Sequence, residues 1–352
     1  MQQRDHALDI FRGFGILLVV LGHIYETPYL IRLWLATFHM PLFFLCSGML
    51  YSGERHADFF SFLKAKLKTL VLPYFCLGIC LWVLMHLWET LLVFLRAAEG
   101  PVRWEPLHFL FSLLLADRLH TYYFSLWFLC VLFLSELVFF PLARLARRRI
   151  WILPIVAVAA NLLEHLLLSR VKGGVWSFDL VPTAVSFLAV GYRVRLRGKD
   201  AEALSRPWLL PVFALLHLVF AALNTRVLGG YTALYQGEIG SPLWYFPAAL
   251  CGSWAVWILA RISGRLRITE FFGRNSLVVY AFQNSFAIPV AAEIAGFAAS
   301  RSVYFSDPVL QWLMILGLSL SICAILALVI RRFFPWMLGR PTKRIPAKKT
   351  LL

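Results

Sequence analysis

The dominant pattern along the chain is a succession of long apolar runs separated by short polar or basic segments. Ten of these runs are long enough for a helix to cross a bilayer, which takes about 20 residues. They cover residues 8–25, 33–51, 70–95, 122–141, 150–168, 176–192, 207–223, 242–260, 274–297 and 309–330. The pattern predicts an all-α fold, a polytopic membrane protein built as a bundle of about ten transmembrane helices.

One further apolar stretch, LHFLFSLLLA at residues 107–116, is shorter than a span and is bounded by charged residues. It predicts a re-entrant or interfacial helix rather than a crossing one. The sequence shows no repeat, low-complexity tract or soluble domain. We therefore predict a single transmembrane domain over residues 1–338, followed by a basic cytoplasmic tail at residues 339–352.

Composition agrees with a membrane protein, and the topology explains the high net charge. The chain is 61% hydrophobic and 15% charged, whereas soluble domains average about 25% charged residues. With a cytoplasmic N-terminus, 26 of the 34 lysines and arginines fall in cytoplasmic segments and 8 fall on the other side. This positive-inside distribution predicts that both termini are cytoplasmic. The net charge of +16 then needs no nucleic-acid partner, and the lipid bilayer is the expected surrounding.

The first run, DIFRGFGILLVVLGHIY at residues 9–25, carries ionisable residues that a lipid-facing helix would not keep. Arg12 and His23 are eleven residues apart, which on an α-helix places them on one face and about 16 Å apart. Asp9 lies on that face one turn before Arg12 and is a candidate partner for its guanidinium. Because such a stripe faces a protein interior or a water-filled cavity, it predicts a functional site. The alternative is a snorkelling arginine and a structural histidine.

A second histidine, His39, begins the next run at about the depth of His23 in the antiparallel neighbour. Two histidines without a third ligand make a poor metal site, so no metal is expected and base catalysis is favoured. Gly48, later in the same run, would let another backbone approach closely. Glu136, deep in the run 122–141, needs a partner.

The ninth run opens with FFGRNSLVVYAFQN at residues 271–284, where Arg274 and Asn275 lie at the cytoplasmic boundary. The free amide groups and positive dipole end of a helix start suit an anion such as phosphate. A simple N-cap by Asn275 or Ser276 explains the same residues equally well. Both interpretations stay open from the residues alone.

Four segments, in order over most of the chain, together resemble one known family. They are LD at 8–9 followed by Arg12 and His23, FHMPLFFLCSG at 38–48, LWFL at 126–129, and GRNSLVVY at 273–280. They resemble the first helix, the second-helix motif, the Trp-Phe-Leu helix and the late Gly-x-Asn-Ser-Leu segment of the membrane-bound acyltransferase-3 family. Its members include sugar and surface-polysaccharide O-acetyltransferases, and the second segment resembles the fucose 4-O-acetylase-like branch.

Two positions depart from the pattern of that family. The family often carries an arginine pair, three residues apart, ahead of the LPY at 72–74, where this chain has Lys66 and Thr69. Many members place a histidine three residues after the late tyrosine, here Tyr280, where this chain has Gln283. An amide can form hydrogen bonds but cannot relay a proton, so Gln283 is not expected to be catalytic.

The resemblance implies an O-acyltransferase that moves an acyl group, expected to be acetyl, from cytosolic acetyl-CoA to a hydroxyl of a sugar, glycolipid or surface polysaccharide. It implies a location in the bacterial cytoplasmic (inner) membrane. His23 would be a general base or a transient acyl carrier, and His39 would orient it or stabilise the oxyanion. The other expected site residues are Asp9, Arg12, Lys66, Lys68, Arg274 and Asn275 for the binding of acetyl-CoA, and Trp127, Tyr280 and Gln283 for the acceptor.

Two other classes of protein would show a similar polar stripe. A transporter or flippase for a lipid-linked or anionic glycan would need a polar midplane and basic inner loops, but also broken helices in matched repeats, which this sequence does not show. A structural or assembly protein of a surface-polymer system would use the polar residues for interhelical hydrogen bonds. Transfer from acetyl-CoA that depends on His23 would separate the enzyme from both.

Overall fold

The computed structural model describes residues 6–95, 105–116, 126–168, 171, 173–229 and 232–339. From residue 340 onward the predicted basic tail lies outside these residues, as does the beginning of the predicted run 122–141. Within the described residues the regular structure is helical, apart from an isolated antiparallel bridge between Ala233 and Glu238.

The α-helices follow the apolar runs, because a helix satisfies every backbone hydrogen bond inside its own segment. They are α1 (His6–His23), α2 (Tyr29–Ala36), α3 (His39–Met49), α4 (Phe59–Lys66), α5 (Leu72–Phe94), α6 (Pro106–Leu115), α7 (Trp127–Arg148), α8 (Ile152–Leu163), α9 (Val181–Leu196), α10 (Gly198–Ala203), α11 (Leu209–Leu228), α12 (Pro242–Ile262), α13 (Arg267–Arg274), α14 (Ser276–Phe282), α15 (Ile288–Arg301) and α16 (Pro308–Phe333).

Nine helical segments of the described chain are long and apolar enough to cross a membrane. They confirm the predicted all-α polytopic bundle. They are His6–His23, Tyr29–Arg55, Phe59–Phe94, Trp127–Arg148, Val175–Leu196, Leu209–Leu228, Pro242–Ile262, Ser276–Arg301 and Pro308–Phe333.

The count of ten crossing helices depends on the fifth predicted run, 150–168. It forms the shorter helix Ile152–Leu168, which is about 26 Å long at 1.5 Å per residue. The tenth crossing therefore stays a prediction from the alternation of basic segments along the sequence. The stretch 107–116, predicted as a short helix, forms the short apolar helix Pro106–Leu115, and its re-entrant or interfacial placement stays a prediction.

Small residues bring pairs of helices into backbone contact. A methyl group added at Gly48 of α3 would overlap the carbonyl oxygen of Leu188, and one added at Gly191 of α9 would overlap that of Leu45. Close approach through small residues is a common way to pack helices in lipid, where no hydrophobic effect drives association. The close approach predicted at Gly48 is therefore confirmed.

Glycine residues also pack α13 closely onto α1. A methyl group at Gly13 would overlap the carbonyl oxygen of Thr269, and one at Gly273 would overlap that of Asp9. This contact carries the late segment around residue 273 onto the N-terminal half of the first helix. It explains why residues more than 260 positions apart in sequence share one site.

The described residues contain three π-helical turns. Two of them interrupt longer helices, at Leu67–Val71 between α4 and α5 and at Gln283–Ala287 between α14 and α15, and the third, Glu164–Leu168, follows α8. Such turns often lie at functional sites because they displace the side chains that follow. The first also lets the helix begun at Phe59 continue into α5, so this span starts eleven residues earlier than the predicted 70–95.

Candidate active site

Two histidines from neighbouring helices face each other at the end of α1. His23 is the last residue of α1 and His39 is the first of α3, and their ring centroids are 6.2 Å apart at an interplanar angle of 82°. The sequence predicted this match in depth, and the antiparallel turn between the helices produces it.

Backbone carbonyls fix the tautomer of both rings. His23 Nδ1 lies 2.8 Å from the carbonyl oxygen of Val19, and His39 Nδ1 lies 2.7 Å from that of Leu35. Because a carbonyl oxygen can only accept a hydrogen bond, Nδ1 carries the hydrogen in each ring. In the neutral form, each Nε2 then has a lone pair and no hydrogen, which is the state of a general base.

The two histidines line a cavity of about 340 Å³, called the outer cavity here. The predicted acceptor-binding residues Trp127, Tyr280 and Gln283 also line it. Its remaining described lining residues are Gly22, Tyr29, Arg32, Leu33, Ala36, Met40, Thr232, Ala233, Leu234, Tyr235 and Asn284.

Gln283 lies directly against the catalytic candidate. Its Nε2 is 3.4 Å from His23 Nδ1, whose hydrogen is already given to Val19. The side chain is fully buried, and its Oε1 has no hydrogen-bond partner among the described residues. A buried acceptor left unsatisfied is costly, so this amide oxygen is a natural place for a donor from a ligand.

A buried asparagine holds one wall of the outer cavity, the loop that contains Thr232 and Tyr235. Asn224 Nδ2 donates to Thr232 Oγ1 at 3.1 Å and to the carbonyl oxygen of Ile239 at 2.9 Å. Its Oδ1 accepts from the backbone of Ser241 at 3.1 Å. The sequence analysis did not identify Asn224, whose partners lie in a loop with no periodic pattern.

A second cavity of about 290 Å³, the inner cavity, lies on the side of Arg12. Arg12 Nη2 donates to Ser276 Oγ at 2.9 Å, and no carboxylate among the described residues forms an ion pair with Arg12. The other residues that line it are Met40, Phe43, Cys46, Ser47, Leu50, Tyr51, Lys66, Thr69, Leu70, Phe128, Leu129, Leu132, Glu136, Leu277 and Tyr280.

Lys66 and Glu136 form an ion pair in the wall of the inner cavity. This supplies the partner that the sequence required for Glu136, whose side chain is 6% exposed. Glu136 compensates the charge of Lys66. Among the described residues that line this cavity, Arg12 is therefore the cation that has no carboxylate partner.

Met40 and Tyr280 line both cavities and form the wall between them. Both side chains are buried, and the Tyr280 ring packs against Phe128 at 5.6 Å. One methionine, a flexible side chain, and one tyrosine thus separate the arginine side of the bundle from the histidine side.

The remaining predicted residues of the donor site lie in a neighbouring polar network. Arg274 donates to Asp9 Oδ2 at 3.1 Å and to Glu270 Oε2 at 2.6 Å. Asp9 therefore pairs with Arg274, whereas the sequence suggested Arg12, because the glycine contact between α1 and α13 brings Arg274 beside it. Two carboxylates neutralise Arg274, and neither Arg274 nor Asp9 lines a cavity.

Asn275 and Lys68 also lie outside both cavities. Asn275 makes no side-chain N-cap; its Nδ2 donates to the carbonyl oxygen of Phe271 at 2.7 Å, and its Oδ1 accepts from Arg331 at 3.0 Å. Lys68 is exposed. Of the residues predicted to bind the donor, Arg12 and Lys66 are the two that line the inner cavity.

Comparison with models of known protein families supports the resemblance that the four segments within residues 8–23, 38–48, 126–129 and 273–280 carry. The model of a family described as "Acyltransferase domain" (acyltransferase-3) matches residues 5–328. No curated protein and no solved structure matches the chain.

Proposed function

The chain belongs to the acyltransferase-3 family, and on that premise we propose that it is an O-acetyltransferase of the bacterial inner membrane. The donor is cytosolic acetyl-CoA, and the acceptor is a hydroxyl of a sugar, glycolipid or surface polysaccharide. The observation that carries the proposal is the pair of adjoining cavities, with an unpaired arginine in one and two imidazoles in the other. The family makes a transporter or flippase the less favoured reading.

The donor would enter from the cytoplasmic side. Arg12 would bind a phosphate of acetyl-CoA, since a guanidinium binds phosphate through charge-assisted hydrogen bonds. The pantetheine arm would run through the wall at Met40 and Tyr280 toward His23, about 16 Å further along α1. Tyr280 and Met40 would then have to move aside when the donor binds.

The chemistry would follow general base catalysis. Nε2 of His23 takes the proton of the acceptor hydroxyl while the hydroxyl oxygen attacks the thioester carbonyl. The C–S bond breaks, the acetyl group stays on the acceptor oxygen, and the proton moves from His23 to the departing thiolate. Gln283 Oε1 would accept a hydrogen bond from the acceptor and hold its ring.

The tautomer of His39 limits the hydrogen bonds that its neutral ring can make. Its Nδ1 hydrogen is bound by Leu35, so a neutral His39 has no hydrogen on Nε2 to offer an oxyanion. It can instead accept a hydrogen bond from the acceptor, or from His23 once that ring carries a second proton. His39 thus fits a role in stabilising the protonated form of its neighbour.

The test is CoA release and acetyl transfer by the purified full chain in nanodiscs, with glycans scored by mass spectrometry. We expect His23→Ala to lower transfer by about 10²-fold or more, as loss of a general base does. His86 is the matched control, because its Nδ1 makes the same hydrogen bond to a carbonyl four residues earlier, Trp82, at 2.9 Å, yet it lines neither cavity. His86→Ala should keep the wild-type rate.

Full activity of a folded His23→Ala protein would overturn this mechanism. A second experiment is mass spectrometry of surface glycans from cells with and without the gene. Loss of an acetyl-sized mass from one glycan identifies the acceptor. Unchanged glycans with an altered distribution of lipid-linked sugars would favour the flippase instead.

A further inference from the structure

Arg32 is the arginine among the described residues that line the outer cavity, and the proposed reaction gives it no role. It lies in α2, lines the cavity, and holds its guanidinium carbon 5.1 Å from the centre of the Tyr25 ring. Its Nε is shielded from solvent and has no hydrogen-bond partner. No described carboxylate forms an ion pair with it.

The cavity around Arg32 offers nothing to balance its charge. Among the described lining residues there is no aspartate or glutamate, and the polar groups are imidazoles, hydroxyls and amides. A guanidinium that is partly removed from water normally lies beside a carboxylate or a phosphate, which its planar fork binds through two hydrogen bonds. A ligand that carries a carboxylate or a phosphate would supply this counterion.

The donor does not supply that counterion. The phosphates of acetyl-CoA are assigned to Arg12 in the inner cavity, on the other side of Met40 and Tyr280. Arg32 also lies on the side where the charge distribution places only 8 of the 34 lysines and arginines. Positive charge is sparse there, so an arginine in a cavity wall on that side needs a specific reason.

We propose that the acceptor is an acidic sugar, bound with its carboxylate or phosphate on Arg32 and the reacting hydroxyl at His23. The inference rests on the proposed function and adds the chemical class of the acceptor. Aromatic rings from Tyr29, Trp127 and Tyr235 supply apolar faces for the sugar ring. At about 340 Å³ the cavity is near the lower end of ligand sites, roughly 300–1,000 Å³, which suits one sugar unit.

The experiment compares acceptors that share one sugar ring and differ in the group at C6, which is either acidic or neutral. The full chain in nanodiscs is given saturating acetyl-CoA and one of three probes: methyl glucuronide, methyl glucoside 6-phosphate or neutral methyl glucoside, each repeated in the galacto and manno series. We expect kcat/KM to be at least tenfold higher for one acidic probe than for its neutral partner. Whether the uronate or the phosphate is preferred identifies the source of the charge.

Three variants then assign the preference to Arg32. Arg32→Gln should bring the acidic-to-neutral ratio to about one through a higher KM for the acidic probe, and Arg32→Lys should keep part of the ratio. Arg301→Gln is the matched control, because Arg301 also lies 5.1 Å over an aromatic ring, Phe297, and lines neither cavity. It should leave the ratio unchanged.

Equal use of acidic and neutral sugars by the wild type would overturn the proposal, as would an Arg32→Gln variant with an unchanged ratio. A binding arm separates this failure from a failure of the proposed function. Thermal stabilisation of the His23→Ala protein by glucuronate, compared with glucose, needs no turnover. It should be present with Arg32 and lost in the His23→Ala, Arg32→Gln double variant, even if no acetyl transfer is ever observed.

Discussion

The inner and outer cavities have similar volumes and share a wall, yet their charged groups are arranged differently. The inner cavity combines an unpaired arginine with an internal ion pair, Lys66 with Glu136. The outer cavity has no carboxylate among its described lining residues and contains two imidazoles beside Arg32. The proposed donor site and the proposed site of proton transfer thus lie on one helix, α1, about three turns apart.

In the proposed function, this difference separates donor binding from catalysis. Changes in the inner cavity should act on stability or on the KM for the donor, whereas changes in the outer cavity should act on kcat or on acceptor selectivity. The three predictions below test that separation, from the largest expected free-energy change to the smallest.

Glu136→Leu is expected to have the largest effect, and the effect is on stability. It leaves Lys66 without its counterion in a largely buried position, which costs about 3–5 kcal/mol when one member of a buried pair is removed. SDS-induced or thermal unfolding in nanodiscs measures this loss. The double variant Lys66→Met, Glu136→Leu should recover most of the stability, since an apolar pair of similar volume replaces a buried ion pair well.

Glu293→Gln is the control for this experiment, because Glu293 is exposed and lines neither cavity. It should unfold like the wild type. A Glu136→Leu protein as stable as the wild type would show that Lys66 finds water or lipid phosphate when Glu136 is absent, and the inner cavity would then be an open aqueous cleft.

His39→Ala should lower kcat about 10²-fold, roughly 2.7 kcal/mol in activation free energy, and leave the KM for acetyl-CoA nearly unchanged. The reason is that His39 adjoins the ring that gains the proton and is remote from the donor phosphates. Initial rates over a range of acetyl-CoA concentrations separate kcat from KM. A raised KM with an unchanged kcat would mean that the outer cavity also binds the donor. Donor binding and catalysis would then not be separated between the two cavities.

Arg12→Ala should raise the KM for acetyl-CoA about tenfold or more, in line with about 1.5–3 kcal/mol for a hydrogen bond to a charged group. The effect on kcat should be small. S-acetylpantetheine, which lacks the phosphates, should be used equally by wild type and variant. Arg265→Gln, an exposed arginine outside both cavities, controls for loss of positive charge. Equal losses with both donors would refute phosphate binding by Arg12.

The helices and the facing histidines could be predicted from the sequence, whereas some contacts between distant helices could not. The spans, the short helix at 106–115 and the facing histidines followed from local pattern and topology. The pairing of Asp9 with Arg274 did not follow, because it depends on the glycine contact between α1 and α13, 260 residues apart in sequence. The π-turn that starts the third span earlier than predicted was also missed, because Lys64, Lys66 and Lys68 make this stretch resemble a polar segment between helices.

The sequence by itself determined that this protein is a helical membrane bundle and that Arg12 and His23 share a face, and it predicted on which side the basic residues lie. Hydropathy and a 3.6-residue period are properties of neighbouring residues, so they can be read along the chain. The tertiary structure alone decided that two cavities meet at Met40 and Tyr280, that Lys66 is paired with Glu136, and that Arg32 lines the histidine cavity with no carboxylate partner among the described residues. These features depend on which helices pack together, and that is set by contacts between residues far apart in sequence.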